Sequence, residues 1–195
     1  MTPAATAAVV ASEAVAAVRA GQPLLVASFV EWRATARALL RAGVPPEAVT
    51  WGEPGADLFS SAPAAPASAL ETVQPTGDLL AAPPAERVAQ ATPRPQVPRS
   101  LMEMLQTAAC YRDHDRWAFL YRVVWRWQQG EHDVQSPADP DGARLASMVK
   151  AVRREVHDMF AYIRFRERPI EAGPPQFVAW FEPAHDVLPQ VAEHF

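Results

Sequence analysis

Proline divides this chain. Pro54, Pro63, Pro66, Pro75, Pro83, Pro84, Pro93, Pro95 and Pro98 recur through a stretch that is otherwise alanine and serine, and they are nine of the 20 prolines in 195 residues. Each proline lacks a backbone donor and biases its predecessor toward extended geometry, so this stretch cannot propagate a helix or a sheet ladder. Residues 60–97 are therefore expected to be a semi-rigid linker. It separates an N-terminal strand–helix segment, 24–59, from a main region, 98–195, with an alanine-rich tail at 1–23.

Within the first segment, Leu24, Leu25 and Val26 form a short apolar run of strand type, and Ser28 precedes Glu31 at the spacing of a capping box. Phe29, Trp32, Ala36, Leu39 and Leu40 then recur at helical spacing until Gly43 and Pro45-Pro46, which predicts a helix over 28–42. In the main region, Leu101, Met104, Leu105 and Ala108 predict one helix. Trp117, Leu120, Tyr121 and Val124 predict a second, closed by Gly130, and the two are expected to pair antiparallel. After a polar loop from Ser136 to Asp141, the stripe Leu145, Met148, Val149, Val152 and Val156 predicts a third. The period changes to two at Tyr162, Arg164 and Arg166 and again at Phe177–Glu182, around a Gly173-Pro174-Pro175 turn, so a hairpin is expected. His185–Phe195 reads as a closing helix interrupted by Pro189. The fold class is α+β, with helices packed on a small antiparallel sheet that the Leu24 strand joins across the linker.

The charge balance is acidic, 18 Lys+Arg against 22 Asp+Glu, for a net charge of −4. That excludes a wholly basic nucleic-acid coat protein, so any basic surface is local. One such region exists: residues 144–168 hold seven basic and three acidic residues, a net of +4. On a helix Lys150, Arg153, Arg154 and His157 share one face opposite the valine stripe, a geometry suited to phosphates. Arginine outnumbers lysine 17 to 1, and its planar fork favours bidentate phosphate contact. The plain alternative is a solvated helix face paired with Glu155 and Asp158.

The single cysteine, Cys110, excludes a disulfide framework, a four-cysteine zinc site and a cysteine-ligated iron–sulfur cluster; it reads as packed rather than reactive. His157, Glu182 and His185 could form an acid–base pair or a two-histidine-one-carboxylate metal site if the third helix packs on the hairpin. No H-E-x-x-H or nucleophile-elbow motif supports that. Among the aromatics, Trp117, Tyr121 and Val124 are expected inside, and Trp127, off their stripe, exposed. No apolar run reaches transmembrane length, and the start lacks a signal-peptide pattern, so the expectation is a cytoplasmic protein without membrane association.

The runs Val97-Pro98-Arg99, His114-Asp115-Arg116-Trp117 with Leu120-Tyr121-Arg122, Met148 through His157, Arg164-Phe165-Arg166 and Trp180-Phe181-Glu182-Pro183-x-His185 resemble a bacterial domain of unknown function. Its members are associated with DNA repair and DNA metabolism, standing beside radical-SAM partners or fused ahead of uracil-DNA glycosylases of the UdgX type. Trp32-Arg33 through Ala36-Arg37, with Gly43-Val44-Pro45-Pro46 and Trp51, resembles the opening of the fused form. The resemblance implies DNA association without an established reaction. It also implies that relatives continue past Phe195, making the main region C-terminally incomplete, and that residue 158, here Asp158, is more often lysine.

These readings combine into an expected DNA-repair-associated accessory domain. It would bind DNA weakly and without sequence preference through Arg99, Lys150, Arg153, Arg154, Arg164 and Arg166, and support a uracil-DNA glycosylase-like or radical-SAM partner. No cofactor or metal is expected, and catalysis by this chain alone is not. The alternatives are an enzyme acting on DNA through His157, Glu182 and His185, and a protein-docking module using exposed aromatics.

Overall fold

The computed structural model describes residues 13–54 and 97–194; apart from Val97, the expected linker lies outside them. Helix α1, residues 13–19, carries Ala14 into the core with Val15, Ala17 and Val18 packed beside it. The described part of the alanine-rich start is thus an anchored helix rather than a tail. Alanine both favours the helix and lets it approach closely.

Strand β1, Leu24–Leu25, leads into α2, Phe29–Arg41. Ser28 Oγ accepts the Glu31 N–H at 3.3 Å, and the Glu31 carboxylate reaches back to the Ala27 N–H at 2.9 Å, a capping box whose return bond falls one residue early. Gly43, at φ 65°, ends the helix. After a 3-10 turn at Pro46–Ala48 the chain returns as β2, Trp51–Gly52, parallel to β1 with Leu24 opposite Trp51. The Leu24 strand therefore does not join the C-terminal hairpin. A crossover through α2 supplies its partner locally, which closes a far shorter loop than pairing across the linker.

The main region supplies α3, Arg99–Ala108, α4, Arg116–Gln128, and α5, Pro140–Tyr162. Helix α4 buries Trp117, Phe119, Leu120, Tyr121, Val123 and Val124, residues that occupy most of its circumference, so it is the central helix rather than one flank of a pair. Helix α3 instead lies chiefly along α5. Both sides of the proline-rich stretch share one core: the Trp32 indole N–H donates to the Trp117 carbonyl at 3.1 Å, and the Tyr121 hydroxyl donates to the Val44 carbonyl at 2.6 Å.

Helix α5 begins inside the expected loop. The Asp139 carboxylate accepts the N–H groups of Asp141 and Gly142, and Pro140 occupies the first turn, where its missing donor is harmless. A Cβ on Gly142 would lie 2.0 Å from the Ser136 carbonyl oxygen, so only glycine fits. Beyond α5, β3, Arg166–Glu167, pairs antiparallel with β4, Phe177–Val178. A short α6, Leu188–Val191, packs Val191 and the adjacent Val187 on Val152 and Met159 of α5. Pro189 lies in its first turn and does not interrupt it. The fold is α+β, with two separate two-stranded sheets. Among the described residues no helix is long and apolar enough to cross a membrane.

Candidate nucleic-acid interface

Leu145, Met148, Val149, Val152 and Met159 turn inward along α5, which leaves Lys150, Arg153, Arg154 and His157 exposed on its outer side. Arg154 stands 3.7 Å from Asp158 with most of its side chain in solvent. No carboxylate lies within 4 Å of Lys150 or Arg153 among the described residues. The arginines nearer the core behave differently. Arg144 is held by Asp115 and by Asp113 at 3.2 Å and lies over the Phe119 ring, so it leaves the basic face although it belongs to the basic run. Arg126 bonds Asp139, Asp141 and Glu131, and Arg122 bonds Asp141. Arg112 and the buried Arg116 both bond Asp186. Arg99 is on a different helix, exposed, and paired with Glu103 one turn along at 2.9 Å.

Past α5, Arg164 donates to the carbonyls of Ala161 and Ile163 at 2.9 and 2.8 Å, which places its charge at the negative end of the helix. Part of its donor capacity is therefore spent on the fold. Arg164 and Arg166 line a shallow open groove of about 490 Å³ with Tyr162, Val178, Ala179 and Trp180. No carboxylate is among these lining residues. Trp180 is 83% exposed and Tyr162 68%. The exposed indole is thus Trp180 and not Trp127, which is half-buried against the core and stacks on His132 at 4.2 Å. Alternation through Phe177–Glu182 marks a strand but carries no hint that a two-residue ladder leaves the indole uncovered.

The acid–base trio does not assemble. His185 lies against the Tyr111 ring at 4.2 Å; its Nδ1 accepts the Arg112 N–H at 3.4 Å, and its Nε2 stands 4.0 Å from Glu155. The Glu155 carboxylate also accepts the Ala184 N–H. His157 and Glu182 are exposed, and among the described residues neither is bonded to His185. Among the described residues, the one triad whose potential ligand atoms gather within 4.8 Å is Asp113, His114 and Asp115, whose two carboxylates serve Arg144. Burial pushes the Cys110 thiol up, against the effect of the bond that Gln190 donates to its sulfur at 2.9 Å, so the thiolate needed for nucleophilic chemistry is disfavoured.

Comparison with known proteins adds one finding. Residues 114–195 match the family model of a domain of unknown function, DUF4130. The matched segment opens two residues before α4 and takes in α5, the hairpin and α6, so it contains every expected phosphate-contacting residue except Arg99. No curated protein and no solved structure matches the chain.

Proposed function

We propose that this chain is a non-catalytic accessory domain that contacts DNA phosphates and works beside a DNA-acting partner of the uracil-DNA glycosylase-like or radical-SAM kind. The observation that supports it is the division among the basic residues of the matched segment. Arg116, Arg122, Arg126 and Arg144 are clamped by carboxylates, whereas Lys150 and Arg153 on α5 and Arg166 on β3 are exposed and, among the described residues, have no carboxylate within 4 Å. Clamped arginines hold the fold; uncompensated ones on an otherwise acidic chain mark a local surface for an anion. The sequence shows no base-reading motif, so the contact we propose is with the backbone and without strong sequence preference. The partner class comes from the family resemblance.

The test is fluorescence anisotropy with a labelled duplex and a labelled single strand across a salt series. Affinity falls steeply with salt, and replacing Arg153 and Arg154 together with alanine lowers the slope of log affinity against log salt by about two. His157→Ala has a smaller effect on binding than the double change. Absence of binding to either nucleic acid at low salt, with the domain folded, overturns the proposal and favours protein docking.

A further inference from the structure

We infer that the groove between the end of α5 and the C-terminal hairpin is a base-stacking site for single-stranded nucleic acid, with Trp180 as the platform and Arg166 as the phosphate contact. This rests on the phosphate-contact reading above and names the strand form that the same surface selects.

Two kinds of group meet in the groove. Tyr162 and Trp180 are exposed aromatic residues, and a tryptophan 83% exposed leaves much apolar surface in water. Arg164 and Arg166 line the same groove, and among the described residues no acidic side chain does. A purely apolar partner would cover the rings and bury the guanidiniums unpaired, at a large desolvation penalty. An acidic peptide would neutralise the arginines and leave the rings without a match. A nucleotide with its base unstacked carries a π-face and a negative phosphate in one unit, and so satisfies both sets. In a duplex the base faces are already stacked on one another, so the rings gain nothing unless the helix is opened.

The surroundings fit a strand that runs on from the groove. From Lys150 to Tyr162, α5 rises about 18 Å, and its exposed Lys150, Arg153 and Arg154 lead toward the groove at its C-terminal end. A helix C-terminus repels phosphate through its dipole, and Arg164, bonded to the Ala161 and Ile163 carbonyls, offsets that repulsion where the backbone would pass.

The full chain is titrated against three labelled probes: oligothymidylate, an abasic oligomer of the same length, and a duplex. Trp180→Ala is expected to weaken oligothymidylate binding about tenfold while leaving the abasic oligomer and the duplex unchanged. Trp180→Phe retains most of the preference. Arg166→Ala is expected to weaken both single-stranded probes and to lower their salt slope by about 0.7. If all three probes bind but Trp180→Ala weakens them equally or not at all, the stacking site is overturned while the phosphate-contact reading stands. If none binds, both fall. If Trp180→Ala abolishes self-association in sedimentation and leaves oligonucleotide binding intact, the groove is an interface between copies of this chain, and the inference is again overturned.

Discussion

Arg116 enters α4 at its first residue with its side chain only 9% exposed. It donates to the Tyr111 carbonyl at 3.2 Å, to Asp186 at 2.8 Å and to Glu53 at 2.8 Å, and its guanidinium lies 4.8 Å from the centre of the Trp117 ring. One side chain thereby ties the entry of α4 to the residue after β2 and to the segment before α6. Arg116→Met keeps most of the volume and removes all three bonds. Because Asp186 retains Arg112 and Glu53 is partly exposed, the loss is expected near the low end for such clamps, about 2 kcal/mol. It is read as a lower midpoint in urea with an unchanged slope; an unchanged midpoint would show the clamp to be ornamental. Sequence could not foretell this role. Arg116 and Arg153 both read as arginines on helices, and only packing separates the buried clamp from the solvent-facing charge.

At the scale of the element, the start of α5 depends on Asp139. Its carboxyl is held down to about 2 by the Arg126 guanidinium and by the Gly142 and Asp141 N–H groups. The unfolded chain titrates this group near 3.9. Above about pH 4 the carboxylate is ionised in both states and the stabilisation is complete; as pH falls from about 4 toward 2 the unfolded state takes up the proton first and the stabilisation is lost. Asp115, through Arg144, shifts in the same direction. So does Asp186, where burial opposes the shift but Arg116 and Arg112 outweigh it. Asp139→Asn is accordingly expected to be less stable than the parent at neutral pH, with the gap closing toward pH 2, as measured by denaturation at each pH. An equal gap at both would assign the effect to the cap bonds alone.

The same helix illustrates what its sequence disclosed. Its apolar stripe was plain at Leu145 to Val152, because burial on one face writes a 3.6-residue period. Its beginning was hidden because Asp139-Pro140 serves equally as turn chemistry and as N-cap with first-turn proline. The hairpin was legible as alternation, but not its two-residue extent, and so not the exposure of Trp180. Arg153, Arg154 and Arg166 could be nominated from charge spacing, whereas the separation of His157 and Glu182 from His185 depends on packing that no local pattern records.

For the molecule as a whole, the segments flanking residues 55–96 form a common body through Trp32 and Trp117, Val44 and Tyr121, and Glu53 and Arg116. Two independently folded halves would not share buried aromatic contacts of this kind. A protease site placed within the 60–97 stretch and cleaved after folding should therefore leave a complex whose two fragments co-elute in size exclusion and unfold in one transition. Separation of the fragments under native conditions would dissolve the idea of a single core. The Trp32–Trp117 indole bond then takes on a kinetic meaning. In the intact chain the connection fixes the effective concentration of one half around the other, and assembly is independent of dilution. Once cut, the same contacts must be found by collision, and refolding becomes second order. The covalent path between Pro54 and Val97 governs how quickly the two halves meet, while the indole, the phenol and the guanidinium determine where they come to rest.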